Sequence, residues 1–149
     1  ISNDFLIKLG NNSFGNLREL DLSDNILMNF KPIILFFNRF NNYLKKLILK
    51  NTHLNFYLNY SFNFLALDEI DLSSCKKIIF NNDDLFFKNS YYLRKISLNN
   101  IKLNSTLLNK HFQFSLFTFL EYLDLSENYL EFFEGALITD NTNLKYLNL

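Results

Sequence analysis

The chain has 149 residues, with 15 basic and 15 acidic side chains and a formal net charge of zero. That balance argues against a nucleic-acid binder held by counterion release and against a polybasic membrane-surface module. Its 48% apolar content is too high for a disordered chain, and the choice of residues is uneven: 30 Leu, 24 Asn, 18 Phe, 12 Ile and 8 Tyr, but 2 Ala and no Val.

In chain order, similar blocks recur. Asn3 and Phe5 fit the tail of a truncated first unit, and Phe14 precedes the first whole one. Leu17–Leu27 reads LRELDLSDNIL. Pro32 can open a short helical turn in the return segment that follows. Asn41-Asn42 before Tyr43 reads as a turn. Leu44–Leu54 reads LKKLILKNTHL, and Leu67–Lys77, with Phe64 ahead of it, reads LDEIDLSSCKK. Asn82-Asp83-Asp84 predicts a helix cap, with the helix running through Phe86 and Phe87. Leu93–Leu103 reads LRKISLNNIKL. Ser105-Thr106 predicts the cap of a helix running through Leu107, Leu108 and Phe112 to Phe117. Leu120–Leu130 reads LEYLDLSENYL, and the chain closes on LKYLNL, Leu144–Leu149.

The alternation in LxxLxL is that of a short strand with one face inward. Phe14, Phe64 and Phe117 each lie three residues before the next block's first Leu, as stacked interior rings would. The blocks resemble the leucine-rich repeat consensus LxxLxLxxNxL. Their first leucines stand at 17, 44, 67, 93, 120 and 144, and the spacings of 23–27 fall inside the roughly 20–29 residues of that family. The resemblance covers residues 1–149 as one array, about five full units with partial units at both ends. It implies an α/β solenoid, a horseshoe with short parallel concave strands and irregular or helical convex returns. Because the array starts at Ile1 and stops at Leu149 within its own pattern, it reads as a fragment of a longer chain. Expressed alone, such a fragment is expected to fray or aggregate at its uncapped ends.

In this family the Asn side chain of the consensus bonds backbone groups that the turn leaves unpaired. Asn25 and Asn128 fill that position, and Thr52 and Cys75 are partial substitutes. Ile101 cannot serve. Its turn is either rearranged, with Asn100 as one candidate donor, or satisfied by water. Among 24 Asn, only Asn25, Asn128 and Asn3 match the consensus. The others resemble the coding bias of an AT-rich genome.

Aligned strands would place equivalent positions in rows roughly 4.8 Å apart. The third-position row reads Glu19, Lys46, Glu69, Lys95, Tyr122, Tyr146, and the second reads Arg18, Lys45, Asp68, Arg94, Glu121, Lys145. The fifth reads Asp21, Ile48, Asp71, Ser97, Asp124, Asn148. One reading is simple charge pairing between neighbouring strands. The other makes Glu19, Asp21, Lys46, Glu69, Asp71, Lys95, Tyr122, Asp124 and Tyr146 a ligand-binding face, with Tyr122 and Tyr146 as its anchors.

Little else points to chemistry. Alternate-strand aspartates are separated by roughly 9.6 Å, too far to share a metal. His53 and His111 match no metal spacing and suit surface or turn roles. No nucleophile elbow or phosphate loop is present, so neither an enzyme nor a cofactor or metal site is expected. Cys75, the one cysteine, excludes an internal disulfide. The longest apolar run, Pro32–Phe37, is too short to span a membrane. Sequons stand at Asn11, Asn59 and Asn104, a number that chance alone supplies; all three lie off the strand positions and are candidate glycosylation sites.

LDLSDN, LDLSEN and the run FFEGALITDNTNLKYLNL resemble repeats of Toll-like receptor ectodomains. That resemblance implies binding of another protein or a receptor ligand through the concave face, signalling elsewhere in the protein, an extracellular location and a receptor dimer. Nucleic-acid and membrane contacts are not expected of this segment. LDEIDLSSCKKI supports an alternative, a cytoplasmic scaffold or F-box-type substrate adaptor.

Overall fold

The structure, a computed structural model, describes residues 16–27, 42–57, 64–79, 87 and 89–149. Its elements in chain order are β1 (Glu19–Asp21), β2 (Ile26–Leu27), β3 (Lys46–Ile48), β4 (His53–Tyr57), β5 (Glu69–Asp71) and β6 (Lys76–Ile79). They continue with β7 (Lys95–Ser97), α1 (Ser105–His111), β8 (Tyr122–Asp124) and β9 (Tyr146–Asn148). Two 3₁₀ turns, Phe114–Leu116 and Gly135–Ile138, lie in the last two return segments.

β1, β3, β5, β7, β8 and β9 form one six-stranded sheet, with every pair parallel. Parallel neighbours need a long crossover, and the 12–16 residues between blocks supply it. The register carries no slip: Leu20, Leu47, Ile70, Ile96, Leu123 and Leu147 are successive partners. A one-residue slip would turn each strand's buried side chain outward, so the leucine pattern itself enforces the register. The first, fourth and sixth block positions make the core. Leu44, Leu47, Leu49, Leu67, Ile70 and Leu72 have no exposure at all. Towards the last strand burial fades, and Leu147 and Leu149 are 39% and 56% exposed.

A second sheet was not anticipated. β2, β4 and β6 pair in parallel just beyond the turns, with an irregularity between His53 and Phe56. In the next block the chain forms α1 instead of a fourth such strand.

The helices depart from expectation at both sites. Asn104, one residue earlier than expected, caps α1 by accepting the Leu107 N–H at 2.8 Å. The neighbouring Ser105 hydroxyl is buried and donates to Phe132 O at 2.8 Å. The helix ends at His111 rather than continuing to Phe117. Phe112 and Phe114 are both buried, and residues two apart on a helix face opposite ways. Burying both rings therefore requires the extended backbone found at Phe112. His111 is also buried, at the end of α1, rather than on the surface or in a turn. Phe87 is not helical: its φ is +63°, and its carbonyl accepts the Ser90 N–H in a turn. The rest of that expected helix, Pro32, Asn41, Phe14 and the truncated unit at Asn3 lie outside the described residues, whereas Asn42 and Tyr43 form the expected turn.

Phe64 and Phe117 are buried as their offset implies. Phe87, Phe112 and Phe114 join them, with ring centroids 5.5–6.5 Å apart from Phe87 to Phe117. The same offset holds Ser90 and Asn141, both buried. Asn141 uses its amide where a ring would stand, donating to Phe114 O at 2.9 Å and Phe117 O at 2.7 Å.

Candidate functional site

The site begins with the turns that aim each strand. In all five whole blocks the residue before the turn position is left-handed: Asp24, Asn51, Ser74, Asn100 and Glu127 have φ between 52° and 60°. Asp and Asn tolerate this conformation, whereas Ser and Glu adopt it at a cost. Aspartates at the fifth position hold the same turns from the strand side. Asp21 accepts the Ser23 N–H at 2.8 Å and its hydroxyl at 2.5 Å. Asp71 accepts the Ser73 N–H at 2.8 Å, and Asp124 accepts both Ser126 donors at 3.0 and 2.7 Å. The bonds from Ser23 keep the Asp21 carboxyl below its usual range. These aspartates thus carry a local structural role in addition to their place on the face.

The turn residues divide their work unevenly. Asn25 donates to Leu22 O at 3.0 Å and Ser23 O at 2.8 Å. Thr52 donates to Leu49 O at 2.7 Å, and the Cys75 thiol reaches back to that same carbonyl at 2.9 Å. Burial pushes the Cys75 thiol up to about 11, so it is an inert structural group at neutral pH. Asn128 serves its own turn and the one before it, the turn that Ile101 leaves incomplete. Asn100 instead turns its amide to the Ser74 hydroxyl, at 3.4 Å.

With the strands so fixed, the third-position row forms as expected. Glu19, Lys46, Glu69, Lys95, Tyr122 and Tyr146 are consecutive register partners. Glu69 sits between two lysines, 2.9 Å from Lys46 and 3.9 Å from Lys95. Its hydrogen bond holds Lys46 protonated to above the usual lysine range. The second-position row pairs Lys45 with Asp68 at 3.6 Å, and Glu121 with Arg94 at 2.9 Å and Lys145 at 2.7 Å. Lys145, then Arg94, keep the Glu121 carboxyl low. Exposed pairs of this kind contribute roughly 0–1 kcal/mol each. They set partners along the rows more than they stabilise the fold.

The aromatic end differs. The Tyr122 and Tyr146 rings lie stacked, with centroids 4.4 Å apart and planes 3° apart. Tyr146 remains 44% exposed. Partial burial, then the Asp124 carboxylate, pushes the Tyr122 phenol up to about 12. Asp124 also accepts the Tyr122 hydroxyl at 3.4 Å. The result is a flat aromatic platform beside a row of alternating charge, suited to non-covalent contact.

A further aromatic row escaped the sequence reading. Tyr43, Tyr92 and Phe119, each just before a block's first Leu, are exposed. Tyr92 stacks on Phe119 at 6.0 Å, and the Arg18 and Arg94 guanidiniums lie over Tyr43 and Phe119 at 5.4 and 6.0 Å. Its signal was available in the shared offset of these three residues.

Among the described residues no group of three or more His, Cys, Asp or Glu side chains could hold a metal ion. Nor is any helix among them long and apolar enough to cross a membrane. Asn104 is exposed, while Asn11 and Asn59 lie outside the described residues. No protein-family model, curated protein or solved structure matches the chain.

Proposed function

We propose that the chain is a leucine-rich repeat solenoid that binds a protein or receptor ligand through the strand face, as part of a Toll-like or related cell-surface receptor ectodomain. One observation carries the binding role: the slip-free register that gathers Glu19, Lys46, Glu69, Lys95, Tyr122 and Tyr146 into a single row. A continuous row of mixed charge ending in stacked tyrosines matches what protein interfaces use, aromatic anchors beside polar contacts. The Asp and Ser turn bonds around LDLSDN and LDLSEN support the receptor-type motif reading.

A cytoplasmic scaffold or F-box-type adaptor is the second reading. It is favoured by the buried Cys75, which as a free thiol bonds the turn of the preceding block, and by the helical return at α1. Photo-crosslinking tests the binding face. A benzophenone side chain replacing Tyr122 or Tyr146 should capture a specific partner in cells of the source organism. The same group replacing Thr106, in α1, should not. Equal capture at all three positions would overturn the assignment. A glycan on Asn104, found by mass spectrometry of the native protein, would separate the receptor from the adaptor.

A further inference from the structure

The regular pairing of strands beyond the turns stops after β6. The next block carries two left-handed residues, Asn100 at φ 55° and Lys102 at φ 64°, where the other whole blocks have one. The chain is thereby turned away from the second sheet and enters α1 at Ser105. Between β6 and α1 lies a cavity of about 650 Å³, within the roughly 300–1,000 Å³ of small-molecule sites.

Its lining has two chemistries. Cys75 and Ile101 are buried, and Ile78 and Leu107 are partly so, which gives an apolar floor. Lys76 and Lys102 line it from exposed positions. They hold the same place in consecutive blocks, one residue beyond Cys75 and Ile101. Neither lysine has an ion-pair partner among the described residues, in contrast to Lys45, Lys46, Lys95 and Lys145. Among the described residues no acidic side chain lines the cavity. In the row of left-handed residues, Asp24 is engaged by the Asn51 amide at 2.8 Å, and Glu127, the neighbour of Asn100 in the next block, forms no ion pair with Lys76 or Lys102.

We propose that this cavity is a binding site for a small organic anion with an apolar body, a carboxylate or sulfonate on a ring or short alkyl group. The apolar portion covers Ile101 and Leu107, while Lys76 and Lys102 face the anionic group. Two unpaired ammonium groups over an apolar floor favour such an amphipathic anion over a neutral ligand, which gains nothing from them, and over inorganic phosphate, which leaves the floor uncovered. The site lies on the turn side of the block and is independent of the strand-face reading.

The test is a titration of the full chain, followed by ¹H–¹⁵N correlation spectra, with naphthalene-2-sulfonate and with the neutral 2-naphthalenemethanol. The sulfonate should give saturable shifts at the amides of Cys75, Lys76, Ile101 and Lys102. Lys76→Gln and Lys102→Gln should each weaken it about three- to fivefold and leave the neutral probe's affinity unchanged. Both lysines are exposed, so the variants should keep the wild-type circular dichroism. Shifts centred on Tyr122 and Tyr146, an absence of saturable shifts, or lysine variants that affect both probes equally or neither would overturn the assignment.

Discussion

Asn128 completes the turn that Ile101 cannot. Its Oδ1 accepts the Ile101 N–H at 3.1 Å and the Leu103 N–H at 3.0 Å, and its Nδ2 donates to Leu98 O at 2.8 Å. The same amide serves its own turn through Leu125 O at 2.7 Å. One side chain therefore satisfies backbone groups in two successive blocks, and a departure from the consensus in one block is absorbed by the next.

Asn128→Ala should accordingly destabilise the chain. Loss of several bonds to partly buried backbone groups is expected to cost about 2–4 kcal/mol. Urea unfolding midpoints of the variant and the wild type measure the loss; a variant as stable as wild type would contradict the shared role of Asn128. Restoring the consensus with Ile101→Asn should also destabilise, by roughly 1–3 kcal/mol. It would place a second amide at groups already served and remove a buried apolar side chain.

Glu127 adopts a left-handed backbone with φ of 58°, a region that its long side chain, unlike the short polar one of Asn, does not favour. Glu127→Asn should raise stability by up to about 1 kcal/mol, because Asn visits this region more readily. Glu127→Val should lower it by at least about 1 kcal/mol. Thermal unfolding of the three proteins in one buffer provides the comparison, and a Val variant as stable as wild type would refute the turn geometry.

Partial burial of the Tyr122 phenol, with the Asp124 carboxylate beside it, makes stability depend on alkaline pH. The folded-state Tyr122 phenol is raised to about 12 from its ordinary 10.0, so the folded chain retains a proton that the unfolded chain gives up. Stability from this group is complete below pH 10 and is lost as pH rises towards 12. The loss of stability across that window should be smaller in Tyr122→Phe than in wild type. Parallel stability-against-pH curves for the two proteins would rule out the shift. In a double-mutant cycle, the stacked Tyr122 and Tyr146 should show a coupling of about 0.5–1.5 kcal/mol.

Cys75 is buried, with its thiol pushed up to about 11. A disulfide reagent at pH 8 should therefore label it only as fast as the chain opens, and at full speed in denaturant. Cys75→Ser should retain the bond to Leu49 O, whereas Cys75→Ala should lose roughly 1 kcal/mol. Rapid labelling of the native protein would show that the turn around Cys75 is open.

The sequence by itself determined the strands of the six-stranded sheet, their order of pairing and their register. A period of two with a leucine or isoleucine on every inward position permits one alignment only, so the rows from Glu19 to Tyr146 and from Arg18 to Lys145 were legible in advance. The turn residues were legible too, and one feature of the composition was underestimated. Several Asn residues outside the consensus have structural work: Asn51 and Asn100 hold left-handed turns, Asn104 caps α1, and Asn141 stands in for a buried ring. Only the tertiary structure decided how neighbouring blocks share their hydrogen bonds, as Asn128 and Cys75 do, because those contacts join residues 25–30 and 26 positions apart. It also decided where α1 ends, since the burial of Phe112 and Phe114 outweighs the local preference for helix. The cavity beside β6 follows from the same cause: it exists where one block abandons the pairing of its predecessors, and no single block's residues announce it.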